Sequence, residues 1–324
     1  MDYGSICMNS QIEVTVIIPN YNNVKLLDNL LISLKKSDSP YKIIIVDNNS
    51  KDNSVELIKQ KYPEVNLIEN EINKGFAKAV NQAIKIADTK YVFLLNNDTV
   101  VCPNTISSLL KTIKRDEKIF SVTSKMIQYH DKKLIDDAGD EYTILSWSKK
   151  IGYNHDISEY DEDKEVFGAC AGAALYNRKY FDKIGLFDED FESYVEDMDL
   201  NFRARIYGYK SYYSSKAIVY HYGSATTGSR YNEFKVKISA RNNIYLIYKN
   251  MPLWMKIINF PFYCLGMIIK YIFFIKKGYG NQYKQGISEG IKTRKNISVT
   301  RNKNTKNLLK IEYQMIINTF KYPF

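Results

Sequence analysis

Cysteine is sparse in this 324-residue chain: Cys7, Cys102, Cys170 and Cys264 lie far apart. No CxxC pair exists, which excludes a zinc ribbon and a dithiol redox motif and suits a reducing compartment. Glycine-rich phosphate loops are also missing. GxxxxGK[ST] occurs nowhere, and no GxGxxG follows the first apolar run, so neither a P-loop nor the usual dinucleotide fingerprint is present. No repeat of 20–50 residues points to a solenoid. The N-terminus lacks the basic-plus-apolar layout of a signal peptide, and the first strand is expected to fold in the cytosol. Acidic residues run out in the last quarter. From Met251 onward 13 Lys+Arg stand against 2 Asp+Glu, whereas the preceding residues carry 33 against 34. The basic pI therefore belongs to the tail, and a basic tail seeks an anionic surface.

What is present is an α/β alternation. Glu13–Pro19 is a β-branched run closed by Pro19, which cannot continue a central strand. Apolar residues at helical spacing predict a helix over Val24–Leu34, and Tyr41–Val46 reads as a second buried strand. A helix over Ser54–Tyr62 follows, with Asp52 or Asn53 as its cap. A short strand over Val65–Glu69 and a helix over Lys78–Ala87 come next. Tyr91–Leu95 is a continuous apolar run that stops abruptly at Asn96-Asn97-Asp98. Three β-loop-α units with right-handed crossovers give a parallel sheet. Its strand ends then bring together Asn20–Asn22, Asp47–Ser50, Asn73–Phe76 and Asn96–Asp98, where α/β sheets hold ligands. Ser121–Glu165 reads as sheet-edge strands and an acceptor-side loop. Val166–Asn177 is rich in small residues, Arg178–Ile184 is a short helix, Glu196–Tyr207 is helical, and Ser211–Tyr222 is a strand that carries His221 at its end.

Several segments, in order, resemble the family 2 glycosyltransferases of GT-A fold, and in particular a rhamnosyltransferase-like branch. They are V-T-V-I-I-P-N-Y-N (14–22), I-I-V-D-N-N-S-K-D-N-S (44–54), N-K-G-F-A-K-A-V-N-Q-A-I (73–84) and L-L-N-N-D-T-V-V (94–101). D-A-G (137–139), F-E-S-Y-V-E-D-M-D-L-N-F-R (191–203), H-Y-G-S (221–224) and R-N-N-I-Y-L-I-Y-K-N-M-P (241–252) continue the match. The resemblance implies a Rossmann-like, mostly parallel mixed sheet flanked by helices. It also implies an inverting transfer of a sugar from a nucleotide-diphosphate donor, dTDP-rhamnose or a UDP-sugar, to a glycan or lipid-linked glycan. Asp47 would meet the base, with Pro19, Tyr21, Asn22 and Ser50 beside it. Asn73, Gly75 and Phe76 would run along the donor. Asn96 stands where the family has the first Asp of its DxD, so Asn96 and Asn97 would serve the donor and Asp98 would be the lone carboxylate there. Asp98 and His221 would hold Mg²⁺ or Mn²⁺, which accept few protein ligands. Asp197 of the Glu196-Asp197 pair would be the general base, and Asp199 and Arg203 would orient that segment.

The expected division is a catalytic domain over 1–230, with a donor half near 12–120 and an acceptor half near 121–230, then a helical extension over 231–324. Within the extension Leu253–Ile275 is long and apolar but carries Asn259, Pro261 and Lys270. Followed by a polybasic stretch, it reads as a helix lying on an anionic membrane from the cytoplasmic side. A soluble appendage or a homodimer interface is the other use of the same segment. Lys292–Lys306 is expected to be loosely ordered. Competing classes are a nucleotidyltransferase, which would place a Gly-rich basic loop where Asn20-Tyr21-Asn22 stands, and a non-catalytic sugar-nucleotide-binding module, which would not keep Asp47, Asp98 and Asp197 together. RNA binding stronger than binding to anionic liposomes would favour a nucleic-acid role for the tail over the membrane role expected here.

Overall fold

The computed structural model describes residues 12–223, 231–301 and 304–321; Cys7 and Ser224 lie outside them. Four strands, β1 (Val14–Asn20), β2 (Lys42–Asp47), β3 (Asn66–Glu69) and β4 (Tyr91–Leu95), form a parallel block in the order β3-β2-β1-β4. Helices α1 (Val24–Leu34), α2 (Ser54–Lys61) and α3 (Gly75–Ile86) make the crossovers. Alternate side chains of β1 and β4 feed two cores, one on each face: Val16, Ile18 and Phe93 on one, Ile17, Val92 and Leu94 on the other. The continuous apolar runs are thus explained by burial on both faces.

The sheet continues past β4 as a mixed block. After β5 (Thr99–Val101) and α4 (Thr105–Ile113) come β6 (Ile119–Gln128), β7 (Ile135–Asp137), β8 (Asp140–Tyr142), β9 (Ser148–Lys150), β10 (Lys164–Val166), β11 (Ala173–Asn177) and β12 (Lys210–His221). β11 lies antiparallel between β4 and β6, and β6 runs parallel to β12. One expectation needs correcting here: β6 is an interior strand, not an edge. The small-residue stretch contains β11, another interior strand. Polar residues disguised β6: Ser121 Oγ hydrogen-bonds Ser211 Oγ at 2.8 Å, and Lys125 Nζ donates to Asp161 at 2.7 Å. The helix expected from Lys78 begins at Gly75, because Asn73 Oδ1 accepts the Gly75 N–H at 2.9 Å and closes the turn.

Helices α5 (Phe181–Ile184) and α6 (Glu196–Ile206) precede β12, and α7 (Glu233–Asn250), α8 (Leu253–Lys276), α9 (Gly280–Thr293) and α10 (Thr305–Lys321) follow it. The helical extension shares a core with the sheet half: Tyr142, Phe167, Met198 and Phe202 pack with Leu246, Met255, Tyr263, Leu308 and Met315. Of the stretch expected to be loose, Lys292–Lys306, residues 302 and 303 lie outside the described residues, and the part up to Thr300 is tied down. Ile297 is buried in that core, and Thr300 bonds Lys249 O through its N–H and Asn250 Oδ1 through its hydroxyl. Helix α8 lies along the domain on one stripe, Met255, Asn259, Tyr263 and Gly266. At Gly266 a Cβ would stand 2.2 Å from the Leu145 carbonyl, so only glycine allows this approach.

Candidate active site

The strand tips of the parallel block meet through side chains. Asn20 Nδ2 donates to Asp47 Oδ1 at 2.9 Å, and Asn97 Nδ2 donates to Asn20 Oδ1 at 2.8 Å. Asp47 also accepts the Ser50 N–H at 2.9 Å and the Ser50 hydroxyl at 2.6 Å, and that hydroxyl accepts the Asn22 N–H at 2.8 Å. Asp47 is only 2% exposed. Asp47, Ser50 and Asn22 thus form a layer behind the wall, whose surface is Pro19, Asn20, Tyr21 and Asn48. Asn73, Gly75, Phe76, Asn96, Asn97 and Asp98 extend that surface. The cleft measures about 1440 Å³. That exceeds the roughly 300–1,000 Å³ of a single small-molecule pocket and leaves room for a donor and an acceptor together.

Strand β5 positions the next group. It pairs antiparallel with the end of β12, setting His221 opposite Thr99 and therefore beside Asp98. His221 Nε2 lies 3.3 Å from Asp98 Oδ1, and Nδ1 lies 2.8 Å from Asp136 Oδ2. Lys150 Nζ reaches the same Asp136 oxygen at 3.0 Å and Asp137 Oδ2 at 3.8 Å. Charges alternate along the four side chains from Asp98 through His221 and Asp136 to Lys150, with Asp137 beyond them. Burial pulls the imidazole pKa down, but Asp136 and Asp98 outweigh it and hold it at about 9. Burial likewise opposes the charge on Asp136, yet His221 and Lys150 keep that carboxyl well below the usual range. Lys150 is held up by Asp136 and Asp137 against its own desolvation.

A divalent cation fits the Asp98–His221 pair. One carboxylate oxygen and one imidazole nitrogen face the cleft together, the cation would replace the Nε2 proton, and Asp136 takes the other ring nitrogen, as carboxylates do behind a metal-bound histidine. Asp137, Asp140 and Cys170 also bring ligand atoms within 4.8 Å of one another. Burial raises Asp137 to about 7 and pushes Asp140 and Cys170 well up, so a cation at this second group would have to displace protons.

Opposite Asp98, the loop before α6 is strained. Glu192, Tyr194 and Val195 all have positive φ, at 59°, 66° and 71°, and a β-branched residue there is an outlier. Asn242 Nδ2 holds the loop by donating to the carbonyls of Phe191, Ser193 and Tyr194 at 2.7–3.0 Å. Glu196 and Asp197 then open α6, and both line the cleft. Asp197 accepts the Ala171 and Met198 N–H groups at 3.3 and 2.7 Å. Burial raises its pKa, partly countered by those N–H groups. Glu196 Oε2 is buried without a hydrogen-bond partner, and burial with Asp197 beside it pushes its carboxyl well up. Asp199 anchors the helix, accepting from Arg203 and Lys249 at 2.9 Å and Asn250 at 2.7 Å.

Of the residues expected from sequence, Asp98, His221, Glu196 and Asp197 share one cleft, and Asp47 joins them only through Asn20 and Asn97. Asp136, Lys150 and Asn242 were missed. Asp136 adjoins the D-A-G motif and Asn242 lies within R-N-N, which was the available signal; Lys150, on a three-residue strand, offered none.

Residues 15–185 match the model of Glycosyl transferase family 2. An uncharacterized glycosyltransferase, YwdF of Bacillus subtilis, is 30% identical over 59% of this chain and 68% of its own length. The N-acetylglucosaminyl-diphospho-decaprenol L-rhamnosyltransferase of Mycobacterium tuberculosis is 26% identical over 66% of this chain and 77% of its own. The chain spans about half the length of the Staphylococcus epidermidis poly-β-1,6-N-acetyl-D-glucosamine synthase, 54% at 24% identity. Among solved structures, S. aureus TarS 1–349 in complex with UDP-GlcNAc aligns over 93% of this chain and 91% of that one, with TM-score 0.59 and 18% identity. GalNAc-T7 with UDP, GalNAc and Mn²⁺ aligns over 74% and 48%, with TM-score 0.59 and 16% identity. The shared fold is GT-A.

Proposed function

The chain belongs to glycosyl transferase family 2, and from that premise we propose an inverting, cation-assisted transfer of a sugar from a nucleotide diphosphate to a hydroxyl of a glycan or lipid-linked glycan. The observation that carries this reading is the meeting of Asp98 and Asp197 in one cleft large enough for both substrates. Asp98 and His221 would hold Mg²⁺ or Mn²⁺, with Asp136 fixing the imidazole. When bound there, such a cation would supply charge to neutralise the leaving diphosphate. The amide-rich wall from Pro19 to Asn48 receives the nucleoside, and Asn73–Phe76 flanks the sugar diphosphate. Asp197 takes the acceptor's proton as its oxygen attacks the anomeric carbon. Its raised pKa suits a base, and such a group is worth about 10²–10⁴ in rate. A single displacement inverts the anomeric centre. Similarity to a rhamnosyltransferase and to a UDP-GlcNAc-binding fold supports dTDP-rhamnose or a UDP-sugar as donor.

We also infer that α8 lies on an anionic membrane. Its inward stripe is packed on the domain, while Leu253, Ile257, Phe260, Leu265, Ile268 and Ile272 stand about half or more exposed. A 24-residue helix of this hydropathy is long enough to cross a bilayer, but its docked stripe holds Asn259 and Gly266 against protein, which favours an in-plane helix. Lys276 ends it, and Lys277 and Lys284 follow.

The test of the transfer reading is a panel of nucleotide sugars with Mg²⁺, Mn²⁺ or chelator, reading the released nucleoside diphosphate. One donor should turn over, chelator should stop it, and Asp98→Ala should cut metal-dependent turnover by about 10³ or more, within the range of several kcal/mol for Lewis-acid stabilisation. Turnover unchanged by both chelator and Asp98→Ala would refute the metal role.

A further inference from the structure

Beyond the strand tips the cleft runs on between the sheet half and the C-terminal helices, and Lys270 lines that far end. Its side chain leaves the docked face of α8 one turn after Gly266, whose carbonyl accepts the Trp147 indole N–H at 3.2 Å. The Lys270 ammonium lies 5.5 Å from the centre of the Trp147 ring. Among the described residues no carboxylate is within ion-pair distance of it. Two other cations along the cleft are neutralised: Lys150 by Asp136 and Asp137, and Arg241 by Glu192 and Glu289. Desolvation lowers Lys270 to about 8 with no charged neighbour to offset it, which still leaves it mostly protonated at neutral pH. A half-buried, desolvated cation without a counter-ion, on the wall of a substrate cleft, calls for an anion from the ligand. Lysine serves as a point-charge phosphate binder.

The opposite face of the same helix is the exposed apolar one. We propose that Lys270, over the Trp147 ring, binds the phosphate group of a lipid-linked acceptor whose sugar enters the cleft from the membrane-facing end. The proposal rests on the glycosyl-transfer reading for the identity of the acceptor, and its test needs no turnover.

The chain has two tryptophans, so the full-length Trp254→Phe protein reports from Trp147 alone. With UDP and Mn²⁺ saturating, farnesyl diphosphate should change Trp147 emission saturably. Lys270→Met should weaken that binding at least tenfold, and Lys270→Arg should restore most of it. Lys270→Met removes a desolvated charge with no ion-pair partner, so it should melt no lower than the parent, which separates lost binding from lost folding. Equal affinity in Lys270→Met, or binding abolished by UDP, would overturn the site. Inorganic pyrophosphate binding as tightly as farnesyl diphosphate would reassign it to free phosphate. A Lys270-dependent response to phosphatidylglycerol vesicles alone would reassign it to bilayer headgroups. Both overturn the acceptor assignment. Lys270-dependent binding by a protein that turns over no donor would sink the transfer reading and leave the site standing; turnover without such binding would do the reverse.

Discussion

The two walls of the cleft use opposite polar chemistry. On the donor side Asn20, Asn97, Ser50 and Asp47 satisfy one another, with both Asp47 oxygens engaged. On the acceptor side Asp136, Asp137, Asp140, Lys150, Glu196 and Asp197 crowd together, and Asp137 Oδ2 and Glu196 Oε2 have no hydrogen-bond partner. A saturated network is rigid and holds a shape. Burial raises the pKa values of Asp137, Asp140, Glu196 and Asp197, while His221 and Lys150 hold Asp136 down, and raised carboxyls are what moving a proton near neutral pH requires. On the proposed transfer reading, recognition would fall to one wall and proton transfer to the other.

The sharpest way to break that assignment is Asp197→Asn. It keeps the shape at the start of α6 and removes the basic oxygen. Transfer should fall by about 10²–10⁴, while the Kd for the nucleoside diphosphate, measured by calorimetry, stays within about twofold. Near-normal transfer would remove Asp197 as the base. The donor wall should answer differently. Asp47→Ala strips the acceptor from Asn20 Nδ2, the Ser50 N–H and the Ser50 hydroxyl at once. Buried donors left unmade cost about 1–3 kcal/mol, so urea unfolding should register that loss together with a raised donor KM. A variant that binds donor normally and unfolds normally would mean this layer does not shape the wall.

The same contrast decides what was legible in the sequence. The donor wall is written in long apolar runs that stop at Asn20, Asp47 and Asn96, and a run with a polar end declares both strand and site. The acceptor wall is assembled from three-residue strands. Asp136 on β7 and Lys150 on β9 come from segments too short for periodicity, and only tertiary pairing turns them toward His221. β6 failed for a related reason. Ser121, Thr123, Ser124 and Lys125 imitate a surface strand, although all four are buried. Asp197 was found through its motif rather than its pattern, since the strained Tyr194–Val195 approach that aims it leaves no signature in residue type. The helical extension looked separable because its composition shifts, whereas Tyr263, Leu308 and Met315 complete the core around Phe202.

The smallest effect lies farthest from the chemistry, on the outer face of α8. If that face meets lipid, the acceptor wall is approached from a membrane and the donor wall from solution, and the two walls differ in what supplies them as well as in what they do. Ile268 is 56% exposed and therefore adds little to the fold. Inserting that exposed part among acyl chains is worth about 1 kcal/mol, so Ile268→Ser should lower partitioning onto phosphatidylglycerol vesicles roughly fivefold. The thermal midpoint should not move, and added salt should weaken binding of both proteins because the basic residues after Lys276 contribute through screened attraction. Flotation with vesicles reads all three. Equal flotation of the two proteins would take lipid away from this face and leave it to a second copy of the chain, which sedimentation would then detect as a dimer sensitive to the same substitution.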